Sequence, residues 1–158
     1  MGYKQIKLSN GKITFVDQED FERLSKYKWY CLNNNYAATT IYLNKDKTKV
    51  LLMHRFLMDN PRNKIVDHAN MNTLDNRKVN LRVCTKAQNQ ANHKLNKLNT
   101  SGYNGVTWNK RRNMWQSQIS IKNENKVIGN FFGKEEAALA FNFAAIQYRG
   151  KFSRLNCL

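Results

Sequence analysis

The sequence predicts an α+β chain in which a small N-terminal mixed sheet leads into a strand, loop, strand and helix, followed by a three-stranded antiparallel sheet packed on one helix. Three observations point there. Short period-two runs recur along the chain, separated by turns rich in Asn and Gly. One long helical pattern, 134–149, closes on Gly150. Between them, residues 94–101 are polar and without period, which reads as a linker. The expected organisation is therefore a domain over 1–93, a linker over 94–101 and a second domain over 102–158.

Residues 3–16 alternate apolar and polar around Asn10-Gly11, a strong hairpin signal. Asp17 to Ser25 reads as a short helix with Asp17 as its N-cap. Trp29 to Leu32, Tyr36 to Leu43 and Val50 to Met53 read as three further strands, the last two joined by the polar turn 44–47. His54 to Met58 begins a helix that Pro61 closes. His54 is read as structural or as a phosphate contact rather than as catalytic, because it precedes that break.

The composition limits the partners. Lys and Arg number 27 against 11 Asp and Glu, giving a net charge of +16 and a pI near 10.0. The excess is spread along the chain, +4 over 1–60, +6 over 61–100 and +6 over 101–158. A basic tail is thus excluded, and a polyanionic partner is expected, since each cation laid on a phosphate releases counterions. Apolar residues make up 41% and the mean hydropathy is −0.72, so the core should be divided into small units. Cys31, Cys84 and Cys157 are odd in number and far apart. They suit a reducing compartment, and no structural zinc is expected. No apolar run approaches the length of a membrane span. An intracellular, cytoplasmic protein without membrane contact is expected, in the host cell if phage-encoded.

The densest chemistry lies between Ile65 and Gln90. Val66-Asp67-His68 sets an acid beside a histidine at the end of an apolar run, and Asn70 to Asn80 has the content of a loop that bonds its own backbone. Leu81 to Val83 reads as a return strand, Thr85 as an N-cap with Gln88 three residues on, and a helix follows to about Leu95. Asp67 offers a carboxylate and Asn89 an amide carbonyl, hard oxygen donors that suit Mg²⁺ or Mn²⁺. His68 is the candidate general base, with an unperturbed pKa of about 6.5. Neighbours on a strand face opposite ways, so a bend is expected at Asp67-His68. His93, one turn beyond Asn89, is either a third ligand or a basic-face residue near nucleic acid, the second being preferred. Asp75 and Asn76 are assigned to loop structure, and Arg77 and Arg82 to phosphate contacts.

Over roughly residues 50–93, with Val66-Asp67-His68, Leu74-Asp75-Asn76-Arg77, Asn80-Leu81-Arg82 and Asn89, this pattern resembles the HNH nuclease motif, in particular the homing endonucleases of phages and introns. The resemblance implies a ββα unit and residue roles. Asp67 and Asn89 would hold one divalent metal ion, His68 would activate water, and Asn80 would pin the loop. The His54-Arg55 segment also has its counterpart ahead of the active site in HNH homing proteins, and Arg55 is taken as a DNA contact. No small-molecule cofactor is expected.

From Tyr103 the pattern changes. Residues 103–108, 114–122 and 126–131 read as strands and 134–149 as a helix whose alanines let it lie close on the sheet. Trp115, Ser117, Ile119 and Ile121 alternate with Gln116, Gln118, Ser120 and Lys122, so one face is core and the other is free for a partner. Phe141 and Tyr148 are expected to fill the gap between helix and sheet. The run of Tyr103-Asn104-Gly105-Val106, Trp115, Ile128-Gly129-Asn130-Phe131, Ala137-Ala138, Ala144-Ala145 and Leu155-Asn156 resembles the plant apetala-two/ethylene-response-factor (ERF) DNA-binding domain. The resemblance implies that the outer face of the sheet enters the major groove of double-stranded DNA. Asn104, Thr107 and Ser120 replace arginine contacts of that family, and Gln118 replaces a glutamate. Trp108, Lys110, Arg111, Arg112, Gln116, Gln118 and Lys122 are the candidate contacts, while Trp115 is read as core.

The reading is thus a metal-dependent DNA endonuclease, monomer or homodimer, positioned by an ERF-like domain. Its rivals are a non-catalytic DNA-binding regulator and a basic RNA-binding protein.

Overall fold

Asn10-Gly11 folds the chain back on itself, with Gly11 at φ 84°, where a side chain would be disfavoured. β1 (Tyr3–Lys7) thereby pairs antiparallel with β2 (Ile13–Asp17), from Tyr3 opposite Asp17 to Lys7 opposite Ile13. The computed structural model describes residues 2–92, 95–96, 98–121 and 124–158. The chain divides into two compact units, the first ending at Lys86 and the second beginning at Ala87.

In the first unit, α1 (Phe21–Ser25) is entered through a 3-10 turn over Gln18–Asp20. The side chain of Asp17 does not cap it. Its Oδ2 accepts the Lys78 backbone N–H at 2.7 Å instead, tying the hairpin to the loop after residue 68. β3 (Tyr30–Cys31), β4 (Ala37–Asn44) and β5 (Lys47–Leu52) form a second sheet in that order, all antiparallel. The expected single mixed sheet is therefore two separate antiparallel ones, and one parallel bridge between Phe15 and Asp75 joins the first of them to the later loop. The connections explain it: tight turns allow only antiparallel neighbours, and parallel strands need a crossover of about a dozen residues or more.

α2 (Met53–Leu57) follows, and Arg55 closes the loop after it by donating to Asn60 Oδ1 and to the carbonyls of Pro61 and Lys64. β6 (Ile65–His68) and β7 (Leu81–Cys84) then pair antiparallel, with Asp67 opposite Arg82 and His68 opposite Leu81. The core of the unit is Leu8, Val16, Leu24, Trp29, Ala37, Met53, Leu57, Val66 and Leu81, drawn from both sheets, both short helices and the β6–β7 pair. α3 (Lys86–Gln90) is five residues long, shorter than the helix expected to about 95. Asn89 and Asn92 favour side-chain bonds to nearby backbone over helix, which accounts for the early stop.

In the second unit, β8 (Val106–Asn109), β9 (Met114–Ile121) and β10 (Glu124–Phe131) make an antiparallel sheet with β9 central, and α4 spans Lys134–Arg149. Ile119, Phe141, Ala144 and Ala145 form one small core cluster, and Val106, Ala137 and Ala138 another, with Trp115 and Phe131 packed on the second. Tyr148 does not fill the gap as expected. It is half exposed, with Lys126 Nζ 5.8 Å from its ring centre. Asn156 ties the C-terminal segment down: it accepts from Asn104 N at 2.7 Å, donates to Asn104 O at 3.1 Å, and its own N–H reaches Asn142 Oδ1 at 2.7 Å. No helix of the described residues is long and apolar enough to cross a membrane.

Candidate active site

The loop from Ala69 to Asn80 is laced by its own side chains, as its composition dictates. Asn70 Oδ1 accepts from Asn72 N and Asn72 Oδ1 from Leu74 N, while Asn70 Nδ2 donates to Asp75. Asn80, buried, spans the loop, accepting from Asn70 N at 2.9 Å and donating to the Asp75 carbonyl at 2.7 Å. This lacing holds the end of β6 against the start of β7.

His68 ends β6 and is 3% exposed. Its Nε2 lies 3.2 Å from Asn76 Oδ1, and a chain of hydrogen bonds fixes which atom donates. Thr14 Oγ1 gives its proton to the Leu74 carbonyl at 2.7 Å, so toward Asn76 it accepts, from Nδ2 at 2.8 Å. The Asn76 oxygen then faces His68, and His68 Nε2 must carry the proton. That leaves Nδ1 with the lone pair, the nitrogen able to take a proton. Burial holds the imidazole below its ordinary pKa, against the opposing pull of the Asn76 bond and of the Asp67 and Asp75 charges. The ring is neutral at working pH.

Two aromatic side chains wall it in. His54, 5% exposed, stands edge-on at 5.1 Å between ring centres, and Tyr36 touches both rings, at 5.0 Å from His54 and 5.8 Å from His68. His54 is thereby excluded as a phosphate contact. Burial, then repulsion from His68 and Arg55, lowers its pKa to about 3. An unfolded chain protonates this histidine near 6.5 and the folded one does not, so its contribution to stability is full above 6.5 and is lost as pH falls toward 3. Moving from pH 7.5 to 5 should cost about 2 kcal/mol through this residue, at 1.36 kcal/mol per unit. Thermal melts of wild type and His54→Phe across that range check it, the variant being expected to show the shallower dependence.

Asp67 is half-buried, and its Oδ2 accepts from both Nε and Nη2 of Arg82, at 2.9 and 2.8 Å. The ladder from Ile65 to His68 is regular, so the expected bend at Asp67-His68 is not formed and the two side chains leave opposite faces. The Asp67 charge still reaches the site, adding to the burial that raises the pKa of Tyr36. Asn89 lies half-buried on α3 and belongs to the second unit. His93 and Lys122 lie outside the described residues. Among the described residues no group of three or more His, Cys, Asp or Glu is arranged to hold a metal ion.

The arginines expected on phosphates are engaged within the chain: Arg55 on its loop, Arg77 on both oxygens of Asp75 at 2.7 Å, and Arg82 on Asp67. In the second unit, Lys110, Arg111 and Arg112 are exposed on the turn between β8 and β9. Gln116 and Gln118 alternate with the core residues of β9, and Gln116 donates to Asn130 on β10 at 3.4 Å. Trp108 does not share their face. It pairs with Trp115, edge-on at 5.1 Å, on the side that carries the core. Sequence reasoning missed Asn76, Tyr36 and Thr14 as members of the site. Only Asn76, inside the Leu74 to Arg77 run, carried a signal.

A family model described as HNH endonuclease matches residues 59–91, the segment that holds Asp67, His68, Asn76, Asn80 and Asn89. The chain is 30% identical over 152 residues to an uncharacterised HNH endonuclease of Acanthamoeba polyphaga mimivirus, a match that covers 92% of this chain and 75% of that protein. It is also 36% identical over 62 residues to Protein 3.8 of Escherichia phage T7, over 39% of this chain and 51% of that one. With similarity running over nearly the whole chain, and the matched segment centred on the loop and its histidine, this chain belongs to the HNH endonuclease family.

Proposed function

We propose that the protein is a homing-type endonuclease that hydrolyses phosphodiester bonds in double-stranded DNA, with His68 as general base. The observation that carries this is the hydrogen-bond chain from Leu74 through Thr14 and Asn76, which holds a neutral His68 with its proton on Nε2. Nδ1 takes the proton of the attacking water as its oxygen bonds to phosphorus and the bond to the leaving oxygen breaks. The Tyr36 and His54 rings limit the rotation of the imidazole, and Asn80 keeps the loop beneath it in place.

Asp67 and Asn89 each carry an oxygen donor of the kind a cation takes. Carboxylate and amide oxygens of this kind suit a hard ion such as Mg²⁺ or Mn²⁺. Such an ion, when bound, neutralises charge building on the phosphate and the leaving oxygen. In the second unit, three strands on one helix support the ERF-like reading, and the face bearing Gln116 and Gln118 would lie in the major groove with Lys110, Arg111 and Arg112 on phosphates.

One observation favours the non-catalytic DNA-binding regulator as a second reading: Arg82 occupies Asp67, the carboxylate the metal would need. Supercoiled plasmid incubated with the protein and Mg²⁺ or Mn²⁺ separates the two. Nicked or linear product that disappears with chelator is the expected result. Tight duplex binding without cleavage under either metal would leave the regulator.

A further inference from the structure

We infer that the β4–β5 hairpin is a second DNA-contacting element, a two-stranded ribbon that enters the major groove beside the nuclease site. The inference rests on the reading of this chain as a DNA endonuclease. The root of the hairpin is core: Ala37, Ala38 and Thr39 are buried and Leu52 pairs with Ala38. Beyond the root the ribbon leaves the body. Every residue from Tyr42 to Val50 is exposed, on both faces, including Tyr42 at 80%, Leu43 at 54% and Val50 at 50%. A bare two-stranded hairpin is marginal in water, and large apolar side chains on one are costly unless a partner covers them.

The charge says which partner. Lys45, Lys47 and Lys49 crowd this tip with Asp46 as its one acid. Unlike those of Arg55, Arg77, Lys78 and Arg82, the side chains of these three lysines have no hydrogen bond or ion pair among the described residues. Cations held free on an exposed ribbon suit phosphates, and Tyr42 and Leu43 between them suit the apolar thymine methyl edge.

Dimensions agree. Paired strands lie about 4.8 Å apart, so with side chains the ribbon suits a major groove about 12 Å wide and not a minor groove of about 6 Å. From Thr40 to Asn44 the ribbon advances about 14 Å at 3.4 Å per residue, more than the major groove's depth of about 8.5 Å. The same strand that carries Lys47 and Lys49 continues directly into α2, where His54 packs on His68, so the ribbon and the site share one rigid support.

The test is the anisotropy of a short fluorescein-labelled duplex titrated with the full chain, without divalent metal, from about 50 to about 200 mM salt. The Lys45→Ala/Lys47→Ala/Lys49→Ala variant should lower the salt slope by about 2.7, at roughly 0.9 per phosphate contact, so that the affinity lost across this range shrinks by about 40-fold. Tyr42→Ala should weaken binding without changing the slope. A control variant that removes exposed Lys4, Lys7 and Lys26 should leave the slope as in wild type. All the substituted side chains are exposed, and a wild-type melting temperature confirms that each variant folds. Equal slopes for ribbon and control variants overturn the ribbon while leaving the endonuclease reading intact. A wild-type chain with no affinity for duplex DNA overturns both.

Discussion

His68→Ala is expected to lower plasmid cleavage by about 10²- to 10⁴-fold, the usual worth of a positioned general base, with duplex affinity within about two-fold of wild type. The geometry makes the loss specific. His68 is buried and its Nε2 is committed to Asn76, so the group removed is one proton-accepting nitrogen and not a DNA contact. Adding imidazole to the variant should restore part of the rate, because a small base can enter the space the side chain leaves. Asn76→Ala is the graded companion. It leaves His68 in place but frees its Nε2 and strands Thr14, and loss of such an orienting partner typically costs about ten- to a hundred-fold in activity. Full activity in His68→Ala, under a metal that supports wild-type cleavage, would remove His68 from the chemistry and send the search for a base elsewhere in the loop.

What could be read in the residues and what could not divides by distance along the chain. Local signals carried well: Asn10-Gly11 makes a hairpin, alternation along 114–121 makes a strand with Ile119 and Trp115 inward, and Gly150 ends the long helix after Arg149. The Asn and Asp content of 70–80 announces a self-bonded loop, and Asn80 does span it. The surroundings of His68 are another matter. Thr14, Tyr36 and His54 come from a strand, a turn and a helix separated by up to 54 residues from it, and no period or motif links them. Asn76 reads as a loop former because Asn next to Asp usually is one, yet its side chain faces inward and orients the histidine. The pairing of Asp67 with Arg82 is equally hidden, since it follows from the register of two strands whose separation in sequence is a loop.

Gly105→Ala is expected to be the most damaging substitution in the second unit, although it adds one methyl group. Gly105 precedes β8 at φ 69°, where an L residue is strained by about 1 kcal/mol or more. Crowding costs more than that strain. A Cβ there would stand 2.2 Å from Phe141 Cδ2 and 2.5 Å from the Gln118 carbonyl oxygen. Phe141 is buried against Ile119, Ala144 and Ala145, and the Gln118 N–H is itself bonded to the Gly105 carbonyl at 2.8 Å, so neither neighbour can yield without opening the core or the sheet. Strain and overpacking together come to about 2–4 kcal/mol, a large part of the stability of a unit this small. The melting temperature should fall by roughly 10 to 25 °C, at about 4–8 °C per kcal/mol. If the β8–β10 sheet positions the nuclease, site-preferred cleavage should fade in this variant at temperatures where metal-dependent nicking of plasmid persists. A Gly105→Ala protein that melts with wild type would mean that the close approach of Phe141 and β9 to this turn does not hold in solution.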